Sequence, residues 1–230
     1  MVRVLGVIPA RGGSKGIPRK NLVPLAGKPL LYYTVLAARG SGRLTRTVLS
    51  TEDPEVQAVG RSLGVEAPFT RPAELASDHA SSQSVAKHAL LFAEHQESSR
   101  YDAVCLLQPT CPLRQAVDID NAIGMLEESS ADAVVSLVQV EEPHPFKMMI
   151  VDAGRIRPLF PDKWGETLRR QELPPTFHLN GAVYCVRRGV LLDGNSLWGR
   201  ETLAYIMPVE RSLNIDRPID LRMAELTLTG

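Results

Sequence analysis

A chain of 230 residues is long enough to bury one sizeable core, and a single α/β domain is the first expectation. Its 26 basic and 26 acidic side chains cancel, which excludes a global field for nucleic acid or an anionic membrane, so any polyanion must be met by a local cluster. No segment approaches the run of about 20 apolar residues that spans a bilayer, and the opening Met1-Val2-Arg3-Val4-Leu5-Gly6-Val7-Ile8 is too short for a secretion signal. Three cysteines, Cys105, Cys111 and Cys185, form no CxxC pair and argue against a disulfide framework. The expectation is a cytoplasmic protein with no membrane or nucleic-acid partner.

In chain order, residues 2–8 are almost continuously apolar, as in a parallel strand covered on both faces. A charged loop follows, then a helix opening near Pro29, and a second strand over 46–50. Asp53 before Pro54 reads as an N-cap with proline at the first helical position, and Gly64 is placed to close that helix. Val85, Ala89 and Phe92 recur at helical spacing within 82–97, and 103–107 is another buried strand. A helix over about 118–128 and a strand over 133–140 continue the alternation. Strands alternating with helices predict crossover units and a mostly parallel sheet. The rhythm breaks over 141–177, where prolines and charges intrude, and this stretch reads as an insertion, a lid or an oligomerisation arm. Strands over 181–186 and 203–208 and a helix over about 218–228 complete one domain, 1–230.

The loop Ile8-Pro9-Ala10-Arg11-Gly12-Gly13-Ser14-Lys15-Gly16-Ile17-Pro18-Arg19-Lys20-Asn21 sets three glycines among four cations directly after the first strand. Glycines let backbone N–H groups turn toward an anion, and Arg11, Lys15 and Lys20 can neutralise several charges at once, so the loop is suited to phosphate. It matches neither the G-x-x-x-x-G-K-[ST] order nor G-x-G-x-x-G, so the loop alone does not name the phosphate ligand. Ligands of open parallel sheets lie beyond the carboxyl ends of the strands, where Gln108-Pro109-Thr110-Cys111-Pro112-Leu113-Arg114 also falls.

Together with Lys20-Asn21, Arg71-Pro72-Ala73-Glu74-Leu75-Ala76-Ser77-Asp78, Asn180-Gly181-Ala182 and Ile215-Asp216, these blocks resemble the acylneuraminate cytidylyltransferases, the CMP-sialic acid synthetases, in order across nearly the whole chain. The resemblance implies a three-layer, Rossmann-like nucleotidyltransferase sheet with a small dimerisation insertion. It implies transfer of CMP from CTP to the anomeric hydroxyl of an acidic nine-carbon 2-keto sugar, with release of pyrophosphate, a requirement for Mg²⁺, and a homodimer whose insertion reaches the neighbouring sugar pocket.

By the same resemblance Arg11, Lys15, Lys20 and Asp216 carry the chemistry, and Lys20 stands against the α-phosphate. Gly12, Gly13 and Ser14 join these cations around the phosphates. Asn21, Arg71, Ser82 and Gln108 hold the nucleotide, while Gln108, Lys147, Arg170, Asn180 and Tyr184 take the sugar. Asp216 and Asn214 face the metal. Several residues keep a second reading: Ser82 as the N-cap of the following helix, Tyr184 as a strand aromatic, Asp216 as a cap for the last helix, and Leu197 with Trp198 as either a contact surface or a small satellite core.

The chain also departs from the family pattern. Asn214-Ile215-Asp216 stands where most members carry Asp-Ile-Asp, which removes one charge from a pair that suits a shared Mg²⁺. Cys111 replaces a common serine and reads as a small packing residue. His178 stands where some relatives place arginine, so sugar identity is less fixed than reaction type. His79, His88, His95 and His144 lack ligand spacing and read as surface or capping residues. The alternatives are activation of legionaminic or pseudaminic acid, or of the eight-carbon keto acid of lipopolysaccharide, and a catalytically silent nucleotide-binding module.

Overall fold

The computed structural model describes residues 2–163 and 169–230. Its centre is a six-stranded sheet in the order β10-β6-β9-β5-β1-β4, made of β1 (Val4–Pro9), β4 (Arg46–Ser50), β5 (Ala103–Leu106), β6 (Ala133–Val140), β9 (Thr176–Arg187) and β10 (Thr202–Met207). β1 runs parallel to β4 and β5, and β6 parallel to β10, while β9 is antiparallel to both β5 and β6. Two small ribbons, β2 (Pro24–Leu25) with β3 (Lys28–Pro29) and β7 (Met149–Asp152) with β8 (Arg155–Pro158), lie outside the sheet.

Alternation along the strands makes the three layers. Val4, Ile8 and Cys105 face a core shared with α1 (Leu30–Gly40), α2 (Pro54–Ser62) and α4 (Ala116–Glu127). Leu5, Val7, Val104 and Leu106 face the opposite core, built with α3 (Ser82–Glu97) and α5 (Arg188–Asp193). A third cluster of Ile17, Leu25, Leu30, Ile215 and Ala224 seats α6 (Pro218–Thr229) behind the charged loop.

Local chemistry explains the boundaries. Asp53 Oδ1 accepts the N–H groups of Glu55 and Val56, and the far end of α2 closes with Val65 N–H on Gly60 O and Gly64 N–H on Arg61 O, with Gly64 at φ +85°. α4 begins two residues before the expected 118 because Asp118 is not its first residue but its third, reaching back to Gln115 N–H at 2.9 Å.

The stretch read as an irregular insertion over 141–177 holds the β7–β8 hairpin, whose two-residue turn places Ala153 and Gly154 at φ 47° and 78°. β9 starts inside the same stretch, five residues earlier than the predicted strand. It begins early because 176–179 pair with 137–140 of β6, and only then does it bulge: the four residues 180–183 lie opposite Ser136 alone, between the pairs Leu137↔Leu179 and Val135↔Tyr184. Gly181 permits the bend at φ +78°, where a Cβ would stand 2.8 Å from Gln108 Oε1.

Candidate active site

The loop after β1, the stretch 71–85, the end of β5 and the stretch 214–216 enclose a crevice of about 430 Å³ lined by Arg11, Gly13, Ser14, Lys20, Asn21, Arg71, Ser82, Gln108, Asn214 and Asp216, among others. Residues nearly two hundred positions apart thus meet at the carboxyl edge of the sheet. Gly12 and Gly16 are required by close approach: a Cβ would meet Asp53 Oδ2 at 2.4 Å in the first case and Asp216 O at 2.4 Å in the second. Around Gly13 there is open space within 4 Å, so its backbone faces the crevice bare.

Each clamp cation is already paired with a carboxylate. Arg11 Nη1 and Lys15 Nζ reach the two oxygens of Asp78 at 2.6 and 3.0 Å, and these partners hold the Asp78 carboxyl below its usual range, Lys15 most strongly. Lys20 Nζ, largely buried, donates to Asp216 Oδ1 at 2.9 Å and to Ile215 O at 2.8 Å. Gly12 N–H is occupied by Glu52 Oε1 at 2.7 Å, while Glu52 Oε2 is buried with no partner among the described residues. Lys15 itself projects to solvent beside the crevice.

Arg71 lies on the opposite wall. It donates through Nε to Ser50 Oγ at 3.0 Å and also bonds Ser50 O, and burial lowers its pKa to about 10 although Glu52 acts the other way. Asn21 Nδ2 holds Arg11 O at 2.8 Å. The helix cap predicted as an alternative use of Ser82 falls to Ser81, whose Oγ accepts Ser84 N–H, and this leaves Ser82 on the crevice wall. Asp216 does not cap α6 either. Asp220 accepts the N–H groups of Asp216 and Arg217, and the Asp216 side chain is two-thirds exposed.

The sugar-side residues are placed differently. Asn180 is fully buried with its amide consumed, Oδ1 by Ser136 Oγ and Ala182 N–H and Nδ2 by Ser212 Oγ, so it braces the β9 bulge rather than opening to the crevice. Tyr184 packs on the second core with its ring edge-on to Trp198 at 6.2 Å, which is the strand-aromatic reading. Lys147 pairs with Glu142 at 2.8 Å, away from the crevice. Arg170 opens a short turn, Arg170–Glu172, and its side chain lies outside the described residues.

Leu197 belongs to the second core, the satellite-core reading, whereas Trp198 is exposed. His178 lines a separate cavity of about 920 Å³ with Val138, Ile206 and Met223. His144 caps a turn, as expected, while His88 is half-buried: it stacks edge-on against Phe69 at 4.8 Å, and burial lowers its pKa.

Cys111 is buried with its pKa raised to about 11 by desolvation, and its Sγ donates to Asn180 O at 3.0 Å, the chemistry of a packing residue. All three cysteines are free thiols. For a metal, the crevice offers the open Asp216 carboxylate and the buried Asn214 Oδ1, which has no partner among the described residues. Among the described residues no group of three His, Cys, Asp or Glu could hold a cation unaided. That donor set still fits Mg²⁺, which binds through one or two carboxylates together with substrate phosphates and water.

Asp78 and Glu52 received no role from the sequence. Two signals could have found them: Asp78 lay inside a motif block, and Glu52 follows a strand at its carboxyl end.

Residues 5–147, more than half of the chain, match the profile of the family described as cytidylyltransferase. The chain belongs to the cytidylyltransferase family. This cytidylyltransferase is 33% identical over 96% of its length to an N-acylneuraminate cytidylyltransferase of Escherichia coli O18:K1:H7, about half of whose length (51%) it spans. It is 31% identical to a pseudaminic acid cytidylyltransferase of Campylobacter jejuni, covering 96% of this chain and 94% of that one. Among solved structures, CMP:2-keto-3-deoxy-manno-octonic acid synthetase complexed with CTP superposes with a TM-score of 0.69 over 98% of both chains at 20% identity, a likeness of fold. No helix among the described residues is long and apolar enough to cross a membrane.

Proposed function

We propose that the protein transfers the cytidylyl group of CTP to the anomeric hydroxyl of a nine-carbon 2-keto acid sugar, an N-acylneuraminate or a relative, and releases pyrophosphate. The observation that carries this reading is the meeting, in one crevice, of Arg11, Lys20 and Asp216 with the base-reading set Asn21, Arg71, Ser82 and Gln108. In such a transfer the protein aligns the reactants and neutralises phosphate charge. Lys20 takes the α-phosphate, where the bond breaks, while Arg11 and Lys15 exchange Asp78 for the β- and γ-phosphates and then for the departing pyrophosphate. The Arg71 guanidinium donates to the cytosine carbonyl, and the Gln108 amide donates and accepts on the same edge.

Asp216, with Asn214 as a weaker or water-mediated contact, would hold Mg²⁺ delivered with the nucleotide. When bound, that ion supplies charge neutralisation on the phosphates. Asn214→Asp tests this placement by calorimetry: Mg²⁺ should bind the CTP complex more tightly, and an unchanged titration removes Asn214 from the metal.

The similarity to both N-acylneuraminate and pseudaminic acid cytidylyltransferases keeps more than one nine-carbon acid as a candidate. Each of the four NTPs with Mg²⁺ is therefore incubated with N-acetylneuraminic, legionaminic, pseudaminic and eight-carbon keto acids, and pyrophosphate is measured. Release with CTP and one nine-carbon acid is expected. Preference for the eight-carbon acid would overturn the sugar class, and no release with any pair would overturn the enzyme reading.

The proposal extends to a cytoplasmic homodimer in which the 141–177 stretch of one protomer completes the neighbour's sugar pocket. Free buried thiols suit a reducing compartment. Lys147 turned away from its own crevice and the exposed Met149, Val151, Ile156 and Phe160 support the exchange. A light-scattering mass equal to one chain would remove it.

A further inference from the structure

The segment 108–114 carries a buried cation that no acid among the described residues bonds. Arg114 is 3% exposed and forms no ion pair among the described residues. Its Nη1 donates to the carbonyls of Gln108 at 3.1 Å and Ala182 at 2.7 Å, its Nη2 donates to Thr34 Oγ1 at 2.6 Å, and its Nε has no acceptor among the described residues. Burial pulls its pKa below the ordinary arginine value, with Cys111, Cys105 and Asp118 acting in the opposite direction. Burying a charge without a counter-ion is costly, and an apolar side chain would fill the same space more cheaply. A role other than packing accounts for its presence.

That role follows from what the guanidinium joins. Gln108 lines the crevice, and Ala182 lies in the β9 bulge just after Gly181, whose missing side chain leaves room for Gln108 Oε1. The same segment fixes two further parts of the wall: Thr110 O accepts Ile215 N–H at 2.8 Å, next to Asn214 and Asp216, and Cys111 Sγ holds Asn180 O. A planar fork can grip two carbonyls and a hydroxyl at once, which a single ammonium cannot.

We propose that Arg114 is a positioning residue for cytidylyl transfer, whose guanidinium locks the Gln108 backbone against Ala182 and so sets where the Gln108 amide meets the substrates. The inference rests on the crevice being the transfer site. It reaches a residue that touches no substrate and acts through Gln108.

Pyrophosphate release by the wild-type protein is measured first, and its absence would sink the functional reading itself. Given release, Arg114→Lys and Arg114→Met are compared with Thr34→Val, which removes one acceptor of the guanidinium and leaves its grip on Gln108 and Ala182. Both Arg114 variants should lose about 10- to 100-fold in kcat/KM, the scale of an ångström-sized misplacement, with KM for CTP raised. Arg114→Met should do so even where its melting temperature equals that of the wild type. Thr34→Val should melt lower yet keep kcat and KM within about twofold, since the Gln108 contact persists. Arg114 variants with wild-type kinetics, a Thr34→Val that loses as much activity as they do, or failure of both Arg114 variants to fold would overturn the proposal.

Discussion

Both ends of the parallel strands carry cations paired with carboxylates and use them in opposite ways. At the amino end, Arg3 before β1, Arg46 at the start of β4 and Tyr101 before β5 converge on Glu97: Arg3 Nη2 at 2.7 Å, Arg46 Nη1 at 2.8 Å and the Tyr101 hydroxyl at 2.7 Å. Arg46 is also bound by Glu66, the main reason its pKa rises, and burial with the Glu97 contact lifts Tyr101 to about 12. At the carboxyl end, Arg11, Lys15 and Lys20 are paired as well, but with Asp78 and Asp216, whose side chains are 39% and 67% exposed and border an open crevice. Saturated pairs fasten the sheet, whereas loosely held pairs beside a cavity can exchange a carboxylate for a phosphate. The difference lies in what surrounds the charges, since both ends pair cations with carboxylates.

The comparison breaks most visibly at Lys20. Lys20→Ala should lower kcat/KM by about 10²–10³-fold, as expected for one preorganised charge at the reacting phosphate, with little change in melting temperature. A large loss of stability with intact turnover would place Lys20 with the fastening pairs. At the other end, Glu97→Gln should cost about 1–2 kcal/mol, the scale of charge-assisted hydrogen bonds discounted for partial exposure, and leave kcat unaltered. Urea denaturation alongside steady-state kinetics checks both halves of that statement.

Acid should act on the amino end in a defined direction. Burial pushes Glu94 and Glu97 up, but Arg188 with Tyr101 N–H on the first, and Tyr101, Arg46 and Arg3 on the second, bring both below the ordinary glutamate value. Groups with depressed folded pKa values contribute stability that is complete above the unfolded value, about 4.3, and lost as pH falls through the folded one. Melting temperature should therefore drop as pH goes from about 5 to 3, and Glu97→Gln should flatten that slope. An unchanged slope would exclude Glu97 as its source. The smallest effect belongs to Asp78: Asp78→Asn frees Arg11 and Lys15, so CTP should bind about two- to fivefold more tightly by calorimetry, the range of an exposed ion pair. Weaker binding would mean that Asp78 holds the nucleotide or its metal instead of competing with it.

Most of the sheet was legible because local rules and tertiary packing agree there. Asp53-Pro54 and Gly64 mark the ends of α2 through backbone chemistry that no distant residue can override. The β7–β8 hairpin was hidden because the turn sequence Ala153-Gly154 is not among the strong hairpin signals. The reversed direction of β9 was hidden for a different reason: an apolar strand looks alike whichever way it runs, and only its partners decide.

For the site, the phosphate loop, Arg71, Gln108 and Asp216 were readable as motif blocks, and the structure gathers them at one edge. Asn180 came from such a block and Tyr184 from the family resemblance alone, yet one is a buried strut and the other a core aromatic, because neither block nor resemblance says which way a side chain turns.

By itself the sequence determined the alternation of strands and helices, the glycine and cation content of the loop after β1, and the family, since these are properties of residue type and spacing along the chain. Only the tertiary structure decided which charges meet. Asp78 closing on Arg11 and Lys15, Asp216 on Lys20, and Arg114 bridging Gln108 to Ala182 join residues 63 to 196 positions apart in sequence. Interaction energy between such groups depends on distance and burial, and neither is written in the order of the residues.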